Sequence, residues 1–198
     1  MSLEQAIAFL VFSLVAAITP GPSNVMLTAT GGQVGMLRGL PCLFGVSAGM
    51  GTLIFTVAAG LGQLVLQNPL LLQAMQWCGA AFLLWLAWKI ASAGSGGATD
   101  DRQAVGFGAA ALFQWVNPKS WLVSASAAGT YLQATDDGML AQAAIFAALF
   151  VAAQIPSGIV WLGFGASMQR LLKSERAARL FNLAMGASLA ASVLLILF

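Results

Sequence analysis

Apolar residues fill this chain in six long stretches separated by short polar connections. The stretches are Leu3–Thr28, Leu40–Leu66, Leu70–Ala91, Val105–Thr130, Met139–Phe164 and Ala177–Phe198. Each reaches the roughly 20 helical residues that cross the hydrocarbon core of a bilayer. The pattern therefore predicts an all-α integral membrane protein with six transmembrane helices and almost no soluble part. In lipid every backbone amide must be paired inside the protein, which favours helices. A β-barrel would show short segments of alternating polarity, and that alternation is missing. The first stretch carries Glu4 where a signal peptide is basic, and its apolar run passes any cleavage point, so it reads as the first span. One connection, Ser92–Ala104, has the glycine, small-residue and charge content of a flexible linker. It divides a single transmembrane domain into residues 1–91 and 105–198.

Composition agrees with this pattern. The chain is 60% hydrophobic and 7% charged, against about 25% charged residues in a soluble domain. A net charge of +2 gives no electrostatic footprint for nucleic acid. Histidine is absent, which removes the usual proton shuttle and metal ligand, and the sequence calls for no metal and no cofactor. Charge placement sets an expected orientation. Arg38, Arg102, Arg170, Lys173, Arg176 and Arg179 fall in the first, third and fifth connections, with Lys89 ending the third span. The opposite side carries Glu4, Asp136 and Asp137 and no basic residue. The positive-inside rule places the basic side in the cytoplasm and both termini outside. Trp85 and Trp88 beside Lys89 fit an inner interfacial belt, Trp77 and Tyr131 an outer one, and Lys89 reads as a snorkelling anchor.

Two spans contain helix breakers. The first holds Thr19-Pro20-Gly21-Pro22-Ser23-Asn24, and the fourth holds Gln114-Trp115-Val116-Asn117-Pro118-Lys119. Proline removes a donor and clashes with the preceding turn. Pro20 and Pro118 stand 98 residues apart, about half the chain. Three spans per half is an odd number, so the second half enters the membrane from the opposite side. Matching interruptions in two inverted three-helix repeats point to a transporter with a site near the midplane. The competing reading is two unrelated proline kinks. Asn117-Pro118 has the form of an N-cap followed by proline at the first helical position, and Thr19-Pro20 reads the same way. Each would start a half-helix whose free amides suit an anion.

Lys119 is the one formally charged residue placed deep in a span, at the unfavourable end of a helix dipole. A carboxylate would relieve both problems, which makes Lys119 a functional candidate. It also reads as an anchor reaching an interface, or as a neutral amine engaged in coupling. A zwitterion needs acceptors for its ammonium group as well. Proline frees carbonyls near Ala16 and Gln114, and the side chains of Ser23, Asn24, Gln114, Asn117 and Gln154 add others. Gln154-Ile155-Pro156-Ser157 reads as a third interruption, in span five, with Gln154 either lining the pathway or bonding a neighbouring helix. Small-residue runs at Gly45–Gly49, Gly79–Ala81 and Gly163 with Gly165 permit close helix packing, within the monomer or across a homodimer face.

Taken in order, several of these motifs form a recognisable set. Thr19-Pro20-Gly21-Pro22, Arg38-Gly39, the run Gly79-Ala80-Ala81-Phe82-Leu83-Leu84-Trp85-Leu86-Ala87-Trp88-Lys89, and Asn117-Pro118-Lys119 together resemble the RhtB/LysE family of bacterial amino-acid exporters, over essentially the whole chain. The segment Trp77–Ala91 is most similar to the branch exporting cysteine and O-acetylserine. The resemblance implies a plasma-membrane exporter of amino acids or close derivatives, driven by the proton gradient. It implies a substrate region at Pro20–Pro22 and Asn117–Lys119. Members often carry an acidic residue or asparagine directly after Thr-Pro-Gly-Pro. Here Ser23 stands first and Asn24 follows, which weakens the case for a carboxylate that binds the amine or carries protons. With no acidic residue deep in a span, proton exchange would fall to Lys119, Tyr131, Glu4 or the substrate's own amine.

Two other functions fit six spans. One is a membrane thiol-disulfide electron carrier using Cys42 and Cys78. These lie near opposite ends of neighbouring spans and read as small packing residues. The other is an assembly partner that transports nothing.

Overall fold

A computed structural model of the chain describes residues 2–62, 65, 67–92, 105–132, 138–171 and 174–197. The linker at 93–104, with Arg102, and the residues Asp136, Asp137, Lys173 and Phe198 lie outside the described residues. Seven α-helices and one π-helical turn account for almost all of the rest. They are α1 (Leu3–Ile18), α2 (Pro22–Thr56), the π turn Val57–Leu61, α3 (Pro69–Ala91), α4 (Phe107–Val116), α5 (Pro118–Tyr131), α6 (Met139–Leu171) and α7 (Glu175–Leu197). Among the described residues there is no strand. Three helical segments are long and apolar enough to cross a bilayer, Pro22–Gly60, Pro69–Ala91 and Met139–Met168. α1 and α4 are apolar but shorter, because a break divides each of the stretches Leu3–Thr28 and Val105–Thr130.

The first connection differs from expectation. Residues 29–39 read as a loop, yet helix continues to residue 34 and resumes at 36. The whole reversal rests on Gly35, at φ 80° and ψ 178°. That backbone conformation favours glycine because it has no Cβ to clash. Thr30 Oγ1 lies 3.8 Å from Cys42 Sγ, although 12 residues of straight helix would part them by about 18 Å. The chain therefore folds back on itself at this point. A second departure concerns Pro156. Gln154–Ser157 does not interrupt its span, and α6 runs unbroken from Met139 to Leu171 with Pro156 inside. Membrane helices tolerate an internal proline where surrounding groups or small backbone adjustments take up the freed carbonyl.

α2 packs most extensively against α6 and next against α4, while α3 packs on α7 and α1 on α6. The small residues explain these close approaches. A Cβ on Gly49 would stand 2.5 Å from the Ala111 carbonyl oxygen of α4, and one on Gly45 would overlap the Phe107 carbonyl. Gly79 approaches the Val116 carbonyl and Gly165 the Thr28 carbonyl with equally little room. Gly45, Gly49, Gly79 and Gly165 thus pack within the monomer too closely for any side chain. Gly163 has nothing near its Cβ direction. The largest core joins Met26, Leu27, Leu43, Leu83, Leu86, Phe113 and Leu162. Exposed apolar side chains, Trp77, Trp85 and Trp88 among them, form the outer surface, as expected of helices that face lipid. Lys89 lies with its amine 5.2 Å from the Trp85 ring centre, in keeping with an interfacial anchor.

Candidate functional site

Two prolines hold the first break open. A residue preceding proline is pushed out of the α region, and both such residues here are extended: Thr19 at ψ 127° and Gly21 at ψ 177°. The helix cannot restart until Pro22, which takes the first helical position with Gly21 as N-cap. Thr19 is therefore the C-cap of α1 and not the N-cap of a new helix, a correction to the Thr19-Pro20 reading. Its hydroxyl donates to the Val15 carbonyl at 2.6 Å. Gly21 has no side chain to cap with, and the amides of Gly21 and Ser23 carry no hydrogen bond within the described structure.

The second break is one residue long. Asn117, extended at ψ 112° before Pro118, caps α5 as its sequence predicts, its side-chain oxygen accepting from the Lys119 amide at 3.1 Å. The same side chain donates from Nδ2 to Ser23 Oγ at 3.2 Å. Ser23 Oγ in turn donates to Gln114 Oε1 at 2.9 Å, and Ser120 Oγ donates to the same oxygen at 2.9 Å. One polar network thus ties together two breaks that lie half the chain apart. Gln114, Asn117 and Ser120 are buried and Ser23 is half-buried, so leaving one of these bonds unmade is costly.

Lys119 takes an unexpected partner. Its Nζ donates to the Thr19 carbonyl at 2.5 Å and lies 3.4 Å from the Pro20 carbonyl. A lysine in the first turn of α5 sits at the positive end of that dipole. Reaching across to the C-terminal carbonyls of α1 places its amine at a negative end instead. Two further carbonyls at the breaks, Ala17 and Trp115, also find side-chain donors inside the chain. Asn24 Nδ2 donates to Ala17 O at 3.0 Å and to Thr19 O at 2.9 Å, and Trp121 Nε1 donates to Trp115 O at 2.7 Å. The acceptors expected near Ala16 and Gln114 are displaced by one residue, to Ala17 and Trp115.

Around this network lies a cavity of about 30 Å³, room for about one water. Of the candidate residues, Gly21, Ser23, Asn24, Gln114, Asn117, Lys119 and Gln154 line it. Thr19, Pro20, Pro22 and Pro118 do not, and act through backbone shape. Gln154 comes from α6 and is 4% exposed, and its side chain makes no hydrogen bond. It lines the space and does not tie α6 to a neighbour. Ser120, Val46, Met50, Val123 and Phe150 also line the cavity and escaped the sequence reading. Ser120 had a signal, since it stands one turn after Asn117 on the same helix face; the four apolar residues had none. On the side of Phe150 an aromatic cluster continues, with Phe9 4.7 Å from Phe146 and 5.4 Å from Tyr131 between ring centres. Tyr131 packs into that cluster, half-buried, at the end of α5.

The family model described as "LysE type translocator" matches residues 14–198. The chain belongs to the LysE-type translocator family. A protein of Klebsiella pneumoniae named cysteine/O-acetylserine efflux protein is 35% identical over 125 residues, 63% of this chain and 64% of its own length. Proteins of the same name from Salmonella choleraesuis and Escherichia coli O1:K1 are 32% and 30% identical over 126 residues. The chain thus spans about 64% of the length of the curated relatives it matches. No solved structure matches it. Both the family and the cysteine/O-acetylserine branch agree with the resemblance carried by the ordered motifs, and LysE-type proteins are transporters and not enzymes. Within this family member the two cysteines are free and unlike each other, Cys42 buried beside Thr30 and Cys78 exposed.

Proposed function

We propose that this LysE-type protein exports amino acids or close derivatives, cysteine and O-acetylserine first among candidates, from the cytoplasm across the bacterial plasma membrane. The observation that carries this reading is the bonding of Ser23 at the first break to Gln114 and Asn117 at the second, around a shared cavity. In this reading α1 with residues 22–34, and α4 with α5, are two broken spans among six, and the halves are inverted three-helix repeats. Helix packing supports that arrangement. Exchanging the halves turns the α1–α6 contact into the α4–α2 contact and leaves the α2–α6 and α3–α7 contacts in place. The basic residues at Arg38, Lys89, Arg176 and Arg179 then mark the cytoplasmic side, with both termini outside.

A 30 Å³ cavity is far too small for an amino acid, so substrate must bind in a different arrangement of the same helices. Alternating access supplies it, one repeat rocking against the other about the breaks. Proton exchange drives the cycle through Lys119, Tyr131, Glu4 or the substrate amine. The test is counterflow in proteoliposomes loaded with cysteine or O-acetylserine. Wild type should exchange label, and Lys119→Ala and Pro118→Ala should lose most of that activity while still folding. Normal transport of every amino acid by both variants would move the site elsewhere. Full activity in a Cys42→Ser/Cys78→Ser variant would remove the thiol-carrier alternative.

A further inference from the structure

The first break presents two opposite poles within five residues. The C-terminal end of α1 offers the Thr19 and Pro20 carbonyls, a cation pole. The start of α2 offers the unbonded amides of Gly21 and Ser23, an anion pole. A molecule carrying an ammonium and a carboxylate two bonds apart matches such a pair. The cation pole is already filled, however, by Lys119 Nζ from the other half of the chain. Its stem fits because residue 21 is glycine: a Cβ there would stand 2.8 Å from Lys119 Cδ and 3.0 Å from Nζ. A second feature points to a ligand in the same space. Gln154 is 96% buried by its 4% exposure, lines the cavity and has no hydrogen-bond partner. Its amide opens onto the cavity, where a polar ligand atom has a partner waiting.

We propose that Lys119 is a tethered stand-in for the substrate's ammonium group, an inference that rests on the export reading above. Without substrate, the Lys119 amine occupies the Thr19 and Pro20 carbonyls and holds the two repeats together. An arriving α-amino acid places its own ammonium on those carbonyls and displaces the lysine. The freed lysine turns to the carboxylate, which the Gly21 and Ser23 amides also face, and Gln154 meets the remaining polar atoms. Recognition is then a swap: one cation replaces another at the same carbonyls, and only a ligand that brings a carboxylate gives the displaced lysine a new partner. A simple amine would take the carbonyls from the half-buried Lys119 and give its charge no new partner, which is unfavourable away from bulk water. The site would therefore select zwitterions and reject amines of the same size and shape.

Cysteine and cysteamine differ by the carboxylate alone and are the probes. Binding is measured by thermal stabilisation of the purified full chain in detergent, under reducing conditions, with counterflow of cysteine in proteoliposomes as a second readout. Wild type should bind cysteine and show no stabilisation by cysteamine at the same concentration. Lys119→Met keeps the length of the side chain and vacates the pole. It should bind cysteine about tenfold more weakly and cysteamine about tenfold more tightly than wild type does, reversing the preference. Gly21→Ala pushes the amine off the carbonyls while keeping its charge, so cysteamine affinity should rise there too, relative to wild type. That variant decides the matter if Lys119→Met does not fold. Cysteamine affinity unchanged from wild type in the folded variants would make Lys119 a structural anchor, overturning the swap while leaving the export reading intact. Absence of both cysteine stabilisation and counterflow in wild type would overturn the export reading for this substrate, and the swap with it.

Discussion

The two helix breaks look alike in sequence and are built differently. At the second, one residue separates α4 from α5, and Asn117 caps the new helix with its own side chain. At the first, three residues separate α1 from α2, the N-cap is a glycine without a side chain, and two amides stay unbonded. Asn24 bonds backward to the carbonyls of α1 and does nothing for the start of α2. One break is closed on itself and the other is open. On the export reading proposed above, the break whose helix ends stay unsatisfied is the binding element, and the matching break chiefly supplies groups that reach across.

Substitutions test that division of labour, and the greatest effect is expected at the closed break. Asn117→Ala removes the α5 cap and leaves Ser23 without one of its partners. It should lower stability by roughly 2–4 kcal/mol, read as a fall in Tm in detergent, with transport lost. Little change in Tm would mean that the second break is not the structural one. Gln114→Leu strips the acceptor shared by Ser23 and Ser120 and should destabilise by about 1–3 kcal/mol. Pairing it with Ser23→Ala in a double-mutant cycle should recover part of that loss, because both ends of one bond are then gone. At the open break the costs should be smaller. Asn24→Ala leaves Ala17 and Thr19 carbonyls short of a donor and should cost about 1 kcal/mol, with Thr19 still held by Lys119. Gln154→Leu has no side-chain bond to break, so stability should hold within about 0.5 kcal/mol while counterflow falls. A large loss of stability there would show that the amide has a structural partner.

The prolines made both breaks legible, because their effect on backbone geometry needs no neighbours. Asn117-Pro118 could be read down to its hydrogen bond, since cap and acceptor lie within two residues. Thr19-Pro20 could not, because two prolines compete for the first helical position and the one that wins is the last to release its neighbour from extended geometry. The partner of Lys119 was hidden for another reason: carbonyls belong to every residue and leave no mark in a sequence. Val46, Met50, Val123 and Phe150 line the cavity from apolar runs whose facing depends on how the helices rotate against one another. The single-glycine reversal at Gly35 was lost among Gly31, Gly32 and Gly35, any of which would suit a turn.

The unbroken run of α6 has a mechanical consequence. Its 33 residues make a rod about 50 Å long, against a hydrocarbon core of about 30 Å. A helix of that length must lean or project, and it touches both α1 and α2, on either side of the open break. Thinner and thicker bilayers would set different angles for this rod, and transport in liposomes of graded acyl-chain length should pass through an optimum.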